Sequence, residues 1–332
     1  MDEIRGVYPA MPTAMDEDFR INYEAMEQLI DYLEAGGVEG LVPAGCTGHA
    51  PTLGDMSEEE LYDEHVRYVS EISEMTDLPV IAGDGMNSTT QTIELAGAVE
   101  DEADIDAHLV ITPYQNKPPQ DRLISHYEDV AASLEEPLTA YNVPSRTGVN
   151  IEPRTLESIA DIPGVIGIKE ASNDPDQIRE IGSRLGEQED FAIGSGDDPR
   201  NPLIFEQGGE FAISVSANIY PEAIVEVFEE GVENRDHDAA RERNRDLEPL
   251  HEAMFQEGET NPISVQYALD ELIGGFGTQR APLDRRPLEG YDEAHNQIFT
   301  NRTEIQHVID HYDLDQNLQE NLQQGAVSAQ NF

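Results

Sequence analysis

A chain of 332 residues with 69 Asp and Glu against 19 Lys and Arg carries a formal charge of −50, which excludes a nucleic-acid surface or an anionic membrane face, since both need basic patches. The length is ample for one large α/β domain. The N-terminal MDEIRGVYPAMP lacks the basic and apolar regions of a secretion signal, no apolar run approaches the ~20 residues of a membrane span, and one cysteine, Cys46, excludes an intramolecular disulfide or a multi-cysteine zinc site, so a soluble, cytoplasmic protein is expected.

The run 6–12 (GVYPAMP) opens the chain as a candidate strand. A helix follows over 22–35, where Tyr23, Met26, Leu29, Ile30 and Leu33 recur at helical spacing. Strand 40–45 (GLVPAG) precedes a helix over 57–74, which Ser57 and Glu60 open as a capping box. Strand 79–84, helix 88–100, strand 107–112 and helix 119–134 come next. Strands at 138–143, 165–170, 191–196 and 210–217, then a helix at 221–231, complete the pattern. Eight near-continuous apolar strands alternating with amphipathic helices predict an α/β fold, a (β/α)8 TIM barrel. A doubly wound sheet is the alternative, but it usually shows a glycine-rich phosphate loop after the first strand, which GVYPAMPTAM lacks. Helices at 237–256, 262–274 and 301–312 follow with no Gly/Ser or Pro linker before them. The expected organisation is a barrel over 1–235, C-terminal helices packed on it over 236–320, and a flexible tail at 321–332.

Only two of the 19 basic residues are lysines. The excess of carboxylates, with hydrophobic residues still at 38%, reads as the acidic shell of a halophilic protein, whose self-repulsion is screened where the Debye length falls to about 3 Å in molar salt; an acidic binding surface is the alternative. Lys117 lies in the polar stretch QNKPPQD and is expected in a solvated loop. Lys169 lies in the apolar run VIGIKEAS. A buried ammonium is costly unless paired or neutral, so Lys169 is either a strand-end salt-bridge partner or an amine kept neutral and nucleophilic.

In a barrel of this type the chemistry sits at the C-terminal ends of the strands. Those ends carry GCTGHAPTL (45–53), VIAGDGMN (80–87), YNVPSRTG (141–148), IGIKEAS (166–172) and GSGDD (194–198). In order and spacing these blocks resemble the dihydrodipicolinate synthase / N-acetylneuraminate lyase superfamily over roughly residues 5–290. The resemblance implies a usually tetrameric barrel in which pyruvate forms a Schiff base with Lys169. Tyr141 is the implied proton-shuttling hydroxyl, and Cys46 and Thr47 the implied backbone donors to the pyruvate carboxylate. Arg146 resembles the arginine that holds the carboxylate of an aldehyde substrate. His49 and Ser216 are expected to line the substrate site. The residue types fit that chemistry: a neutral amine attacks a ketone, a phenol gives and takes protons, and flanking Gly45 and Gly48 let the loop backbone approach an anion. Nine scattered histidines suggest no metal site, and no cofactor is implied; Asp197 and Asp198 read as loop acids.

Three departures stand out. Cys46 replaces a threonine, His49 replaces a glutamate, and Gln115 replaces the second tyrosine of the pattern TPYYN. A glutamine cannot relay a proton as a phenol does. The leading expectation is therefore a class I aldolase acting on a 2-keto-3-deoxy sugar acid such as 2-keto-3-deoxygluconate. The alternatives are 4-hydroxy-tetrahydrodipicolinate synthase, condensing pyruvate with aspartate semialdehyde, and a keto-deoxy sugar acid dehydratase. A barrel that only binds a keto acid is disfavoured, because Lys169 and Tyr141 are both present.

Overall fold

Seven parallel strands and one short segment close into a ring. The computed structural model describes residues 4–54, 62–255, 260–283, 302–316 and 318; the capping box at Ser57 and Glu60 and the tail expected at 321–332 lie outside them. The strands β1 (Gly6–Pro9), β2 (Ile81–Ala82), β3 (Ala107–Ile111), β4 (Leu138–Asn142), β5 (Val165–Glu170), β6 (Ala192–Ser195) and β7 (Phe211–Ser214) pair in the order β1-β7-β6-β5-β4-β3-β2. Segment 41–42 joins the two ends of that sheet, bridging Ala10 to Val42 and Leu41 to Val80 in parallel. These are the eight staves expected from the apolar runs. Two of them are shorter than 40–45 and 79–84, because Pro43 and Pro79 have no N–H to give. They only accept: Gly83 N–H donates to the Pro43 carbonyl at 3.0 Å, and Leu41 N–H to that of Pro79 at 2.9 Å.

Period-two alternation sorts the strand side chains into two cores. Tyr8, Val42, Ile81, Leu109, Tyr141, Phe211 and Ile213 fill the barrel interior. Val7, Val110, Ala140, Ile168 and Ala212 face outward into the layer shared with the helices.

The helices are α1 (Tyr23–Ala35), α2 (Asp63–Glu74), α3 (Thr89–Glu102), α4 (Gln120–Ala131), α5 (Pro144–Thr147), α6 (Pro153–Ala160), α7 (Pro175–Leu185), α8 (Asn201–Glu206), α9 (Pro221–Phe228), α10 (His237–Asp246), α11 (Glu248–Met254), α12 (Asn261–Leu272) and α13 (Arg302–His311). The helix expected over 237–256 is broken at Leu247, since Pro249 in the first turn of α11 cannot donate back to the preceding turn. Four helices not named from apolar spacing, α5 to α8, each carry proline in the first turn, where its missing N–H costs nothing. Val265, Leu269, Ile305 and Leu314 share the outer core with Val7 and Ile168. Arg280 fastens that layer further, forking onto Glu64 at 2.5 and 2.7 Å and reaching the Phe19 and Thr52 carbonyls. No described helix is long and apolar enough to cross a membrane.

One buried ion triad crosses this layer. His108 on β3 holds Asp84 through Nδ1 at 2.6 Å and Glu100 through Nε2 at 3.0 Å. Burial opposes a charge there, but the two carboxylates outweigh it and raise the imidazole pKa to about 10. A pKa above the ordinary 6.5 means stability that is full below 6.5 and lost as pH climbs toward 10. His108→Asn is accordingly expected to cost about 3–5 kcal/mol at pH 6, as breaking a buried pair does. That deficit should shrink steadily toward pH 10 in denaturant titrations; a pH-independent deficit would contradict the assignment.

Candidate active site

Pairing of β4 with β5 sets Tyr141 directly opposite Lys169. Because Ala140 and Ile168 face the helices, both functional side chains project inward. Nζ of Lys169 lies 4.4 Å from the Tyr141 ring centroid. The stem of the lysine runs along Gly196, where a Cβ would come within 2.7 Å of Lys169 Cε; only glycine leaves room for it. Lys169 is 5% exposed. Burial lowers its pKa to about 8, against the opposing pull of Cys46 and Asp198. Between pH 7 and 8 the amine is thus about one-tenth to one-half neutral, ready to attack a carbonyl. Burial raises Tyr141 well above the usual phenol range, and Cys46 adds to the shift. Its hydroxyl, lying against the Cys46 thiol, therefore stays a proton donor at neutral pH.

Facing the pair is the loop after segment 41–42. Ala44 and His49 adopt φ of 56° and 60°, a left-handed backbone that costs a non-glycine residue about 1–2 kcal/mol. The turn closes on itself through His49 N–H to Cys46 O and Ala50 N–H to Gly45 O, both at 3.3 Å. The intervening N–H groups of Cys46, Thr47 and Gly48 make no hydrogen bond with any described residue. Successive free N–H groups of this kind form a concavity suited to a carboxylate. The loop opens onto a cavity of about 460 Å³ lined by Cys46, His49, His65, Tyr114, Tyr141 and Arg146, among others. His49 is 1% exposed, and burial alone lowers its pKa to about 4. It presents a neutral imidazole whose two nitrogens have no hydrogen-bond partner among the described residues.

Arg146, on α5, donates from Nη1 to Thr260 Oγ1 at 3.3 Å and from Nη2 to Asn261 Oδ1. It closes no salt bridge with any described carboxylate. Asn261 in turn donates to Thr47 Oγ1 at 3.1 Å, so the first turn of α12 clasps the Arg146 and Thr47 loops together. Thr260 and Asn261 are the residues that sequence reasoning missed. Their TNP run was legible as a helix start, but not its position over the barrel mouth.

The structure brings Tyr141, Cys46, Arg146 and His49 to the cavity wall; Lys169 lies against the Tyr141 ring and Thr47 against Asn261, just outside that wall. Ser216 is placed differently. It is fully buried, its Oγ pairs with His251 Nδ1 at 2.9 Å, and its N–H donates to Asp198 Oδ2 at 2.8 Å. It is not part of the cavity wall; it braces the GSGDD loop. Gln115 also stays out of the wall, in a turn with φ of 67° whose N–H reaches the Thr147 carbonyl at 3.3 Å.

A parallel barrel holding a buried, half-neutral lysine beside a protonated phenol defines a carbon–carbon lyase of the class I aldolase type. Residues 3–306 match the sequence profile of the Dihydrodipicolinate synthetase family, and the chain belongs to that family. A 4-hydroxy-tetrahydrodipicolinate synthase of Haloarcula marismortui is 41% identical over 305 residues, covering 91% of this chain and 95% of its own length. One of Archaeoglobus fulgidus is 42% identical, covering 84% of this chain and 91% of its own length. The crystal structure of dihydrodipicolinate synthase from Thermotoga maritima superposes with a TM-score of 0.81 at 35% identity, over 93% of this chain and 99% of that one.

Proposed function

We propose that the chain condenses pyruvate with a carboxylate-bearing aldehyde, as a 4-hydroxy-tetrahydrodipicolinate synthase acting on aspartate semialdehyde. This reverses the order of the two readings set out from the sequence. The observation that carries it is Arg146. In a chain with 69 carboxylates, this guanidinium lines the cavity and, among the described residues, is held only by the neutral groups of Thr260 and Asn261. Its charge is left for a substrate, and its fork suits a carboxylate. The names of the relatives support the same reading.

In this scheme the N–H groups of Cys46, Thr47 and Gly48 hold the pyruvate carboxylate, and Lys169 attacks the ketone. The amine adds to the carbonyl carbon, water leaves, and an iminium remains. Loss of a methyl proton gives an enamine, whose carbon attacks the aldehyde. Tyr141 is positioned to carry these protons, with Cys46 as its neighbour. His49 offers a neutral donor or acceptor to substrate hydroxyls. A homotetramer, implied by the resemblance, and a cytoplasmic location belong to the same proposal.

Cleavage of a 2-keto-3-deoxy sugar acid is the second reading, favoured by the thiol at position 46 and the glutamine at 115, which interrupt a hydroxyl relay. The two are separated by assaying pyruvate with aspartate semialdehyde and with neutral D-glyceraldehyde in molar salt. Charge-assisted hydrogen bonds are worth about 1.5–3 kcal/mol, so Arg146→Ala should raise KM for aspartate semialdehyde about 10- to 100-fold and leave that for glyceraldehyde near wild type. Cleavage of 2-keto-3-deoxygluconate without turnover of aspartate semialdehyde would hand the assignment to the second reading.

A further inference from the structure

The strand that carries the lysine does not alternate evenly. Val165 and Ile168 both face the helices, although an undisturbed strand turns positions three apart to opposite sides. Ile166, between them, packs against the barrel interior. The pairing with β4 gives the reason: Leu138 stands opposite Val165, but Thr139 stands opposite Gly167, so Ile166 is an extra residue. This is a β-bulge, and it shifts the phase of everything after it by one position. Gly167 is where the strand is compressed, since a Cβ there would come within 2.7 Å of the Ala192 carbonyl oxygen. In an even pairing Tyr141 would stand opposite Ile168, and Lys169 would share the side of Val165 and point into the helix layer. The bulge aims the amine.

Downstream of the bulge the two strands are tied on their outer side. Glu170 on β5 is 2% exposed and stands in register with Asn142 on β4. Its Oε2 accepts from Asn142 Nδ2 at 2.9 Å and from Gln177 Nε2 of α7 at 3.2 Å. Its Oε1 accepts the N–H of Ser172 at 2.6 Å. Asn142 is committed in turn, because its Oδ1 accepts the N–H of Ile151 at 2.9 Å, so its amide cannot turn over without loss. Donors thus converge on both oxygens of Glu170, and only a carboxylate accepts on both.

Resting on the Schiff-base reading, we infer that Glu170 is a positioning residue for Lys169, whose bridge to Asn142 holds the register that the bulge creates. The bridge is built from the immediate neighbours of the reacting pair, Glu170 after Lys169 and Asn142 after Tyr141. Alternation then puts the tie on the outer face of the two strands and the chemistry on the inner face. A tie at this rung fixes the amine beside the phenol without occupying either of them. The competing register is the even pairing, one position away. There Glu170 would face inward and lose the Asn142 and Gln177 donors, so the carboxylate disfavours the arrangement that would misdirect the lysine.

The experiment measures the rate of borohydride trapping of the full chain in molar salt against pyruvate concentration. Glu170→Gln sets an NH2 group against one of the converging donors and should loosen the rung. A displacement of about 1 Å at a reacting group costs about 10²-fold, so the maximal trapping rate should fall about 100-fold. The pyruvate concentration that gives half of that rate should stay within about threefold of wild type, because the N–H groups of Cys46, Thr47 and Gly48 are untouched. Asn142→Ala cuts the same bridge from the other strand and should show the same split; it decides alone if Glu170→Gln fails to fold. Ile30→Val, an outer-core truncation on α1, should lower the melting temperature and leave both trapping parameters at wild type. A maximal rate within about threefold of wild type, a loss carried by the half-saturating concentration instead, or the same fall in Ile30→Val each overturns the inference. Absence of any lysine adduct in the wild-type protein overturns the Schiff-base reading instead.

Discussion

Lys169→Arg is expected to abolish both pyruvate-dependent borohydride trapping and turnover, by about 10⁶-fold, the scale seen when an enzyme loses its nucleophile. Arginine keeps the charge and much of the stem, but its pKa above 12 denies the site a neutral nitrogen. Loss of chemistry with preserved melting behaviour would thus report the amine and not the packing. The wild-type adduct should form faster as pH rises through about 8, the value to which burial brings Lys169. Two lysines in the whole chain make peptide mapping unambiguous. An adduct on Lys117, or a Lys169→Arg protein that still traps pyruvate, would remove the lysine from the mechanism.

Tyr141→Phe should leave adduct formation possible but lower kcat by about 10²–10⁴, the usual worth of a positioned acid–base group. The ring that packs 4.4 Å under Nζ is retained, so the amine keeps its setting and only the proton carrier is lost. The adduct is expected to accumulate in single-turnover experiments, because steps after iminium formation also need proton transfer. A phenylalanine variant with wild-type kcat would show that the Cys46 thiol or solvent carries the protons.

The staves were legible because parallel strands buried on both faces must be written as short apolar runs. Their ends were less so, since Pro43 and Pro79 stop the ladder inside runs that hydropathy alone would extend. Lys169 stood out because a cation in such a run demands an explanation, and Tyr141 because the adjacent strand must lie beside it. Ser216 shows the limit of that reasoning. Its place at a strand end says nothing of its direction, which is set by the turn Ser216–Asn218 and by His251, far along the chain. Thr260 and Asn261 were invisible as site residues for the same reason: their partners, Arg146 and Thr47, are more than a hundred residues away, beyond any local periodicity.

The clasp of Asn261 on Thr47 and Arg146 also orders events at the ribosome. Synthesis is vectorial, and segments fold broadly from the N-terminal end. All eight staves and both reactive side chains have emerged before Thr260 is made. The chain can therefore close its ring while the Thr47 and Arg146 loops are still unfastened. The fastening of both loops therefore waits for the first turn of α12, and a chain ended before Thr260 is expected to hold a ring whose Thr47 and Arg146 loops are not yet joined.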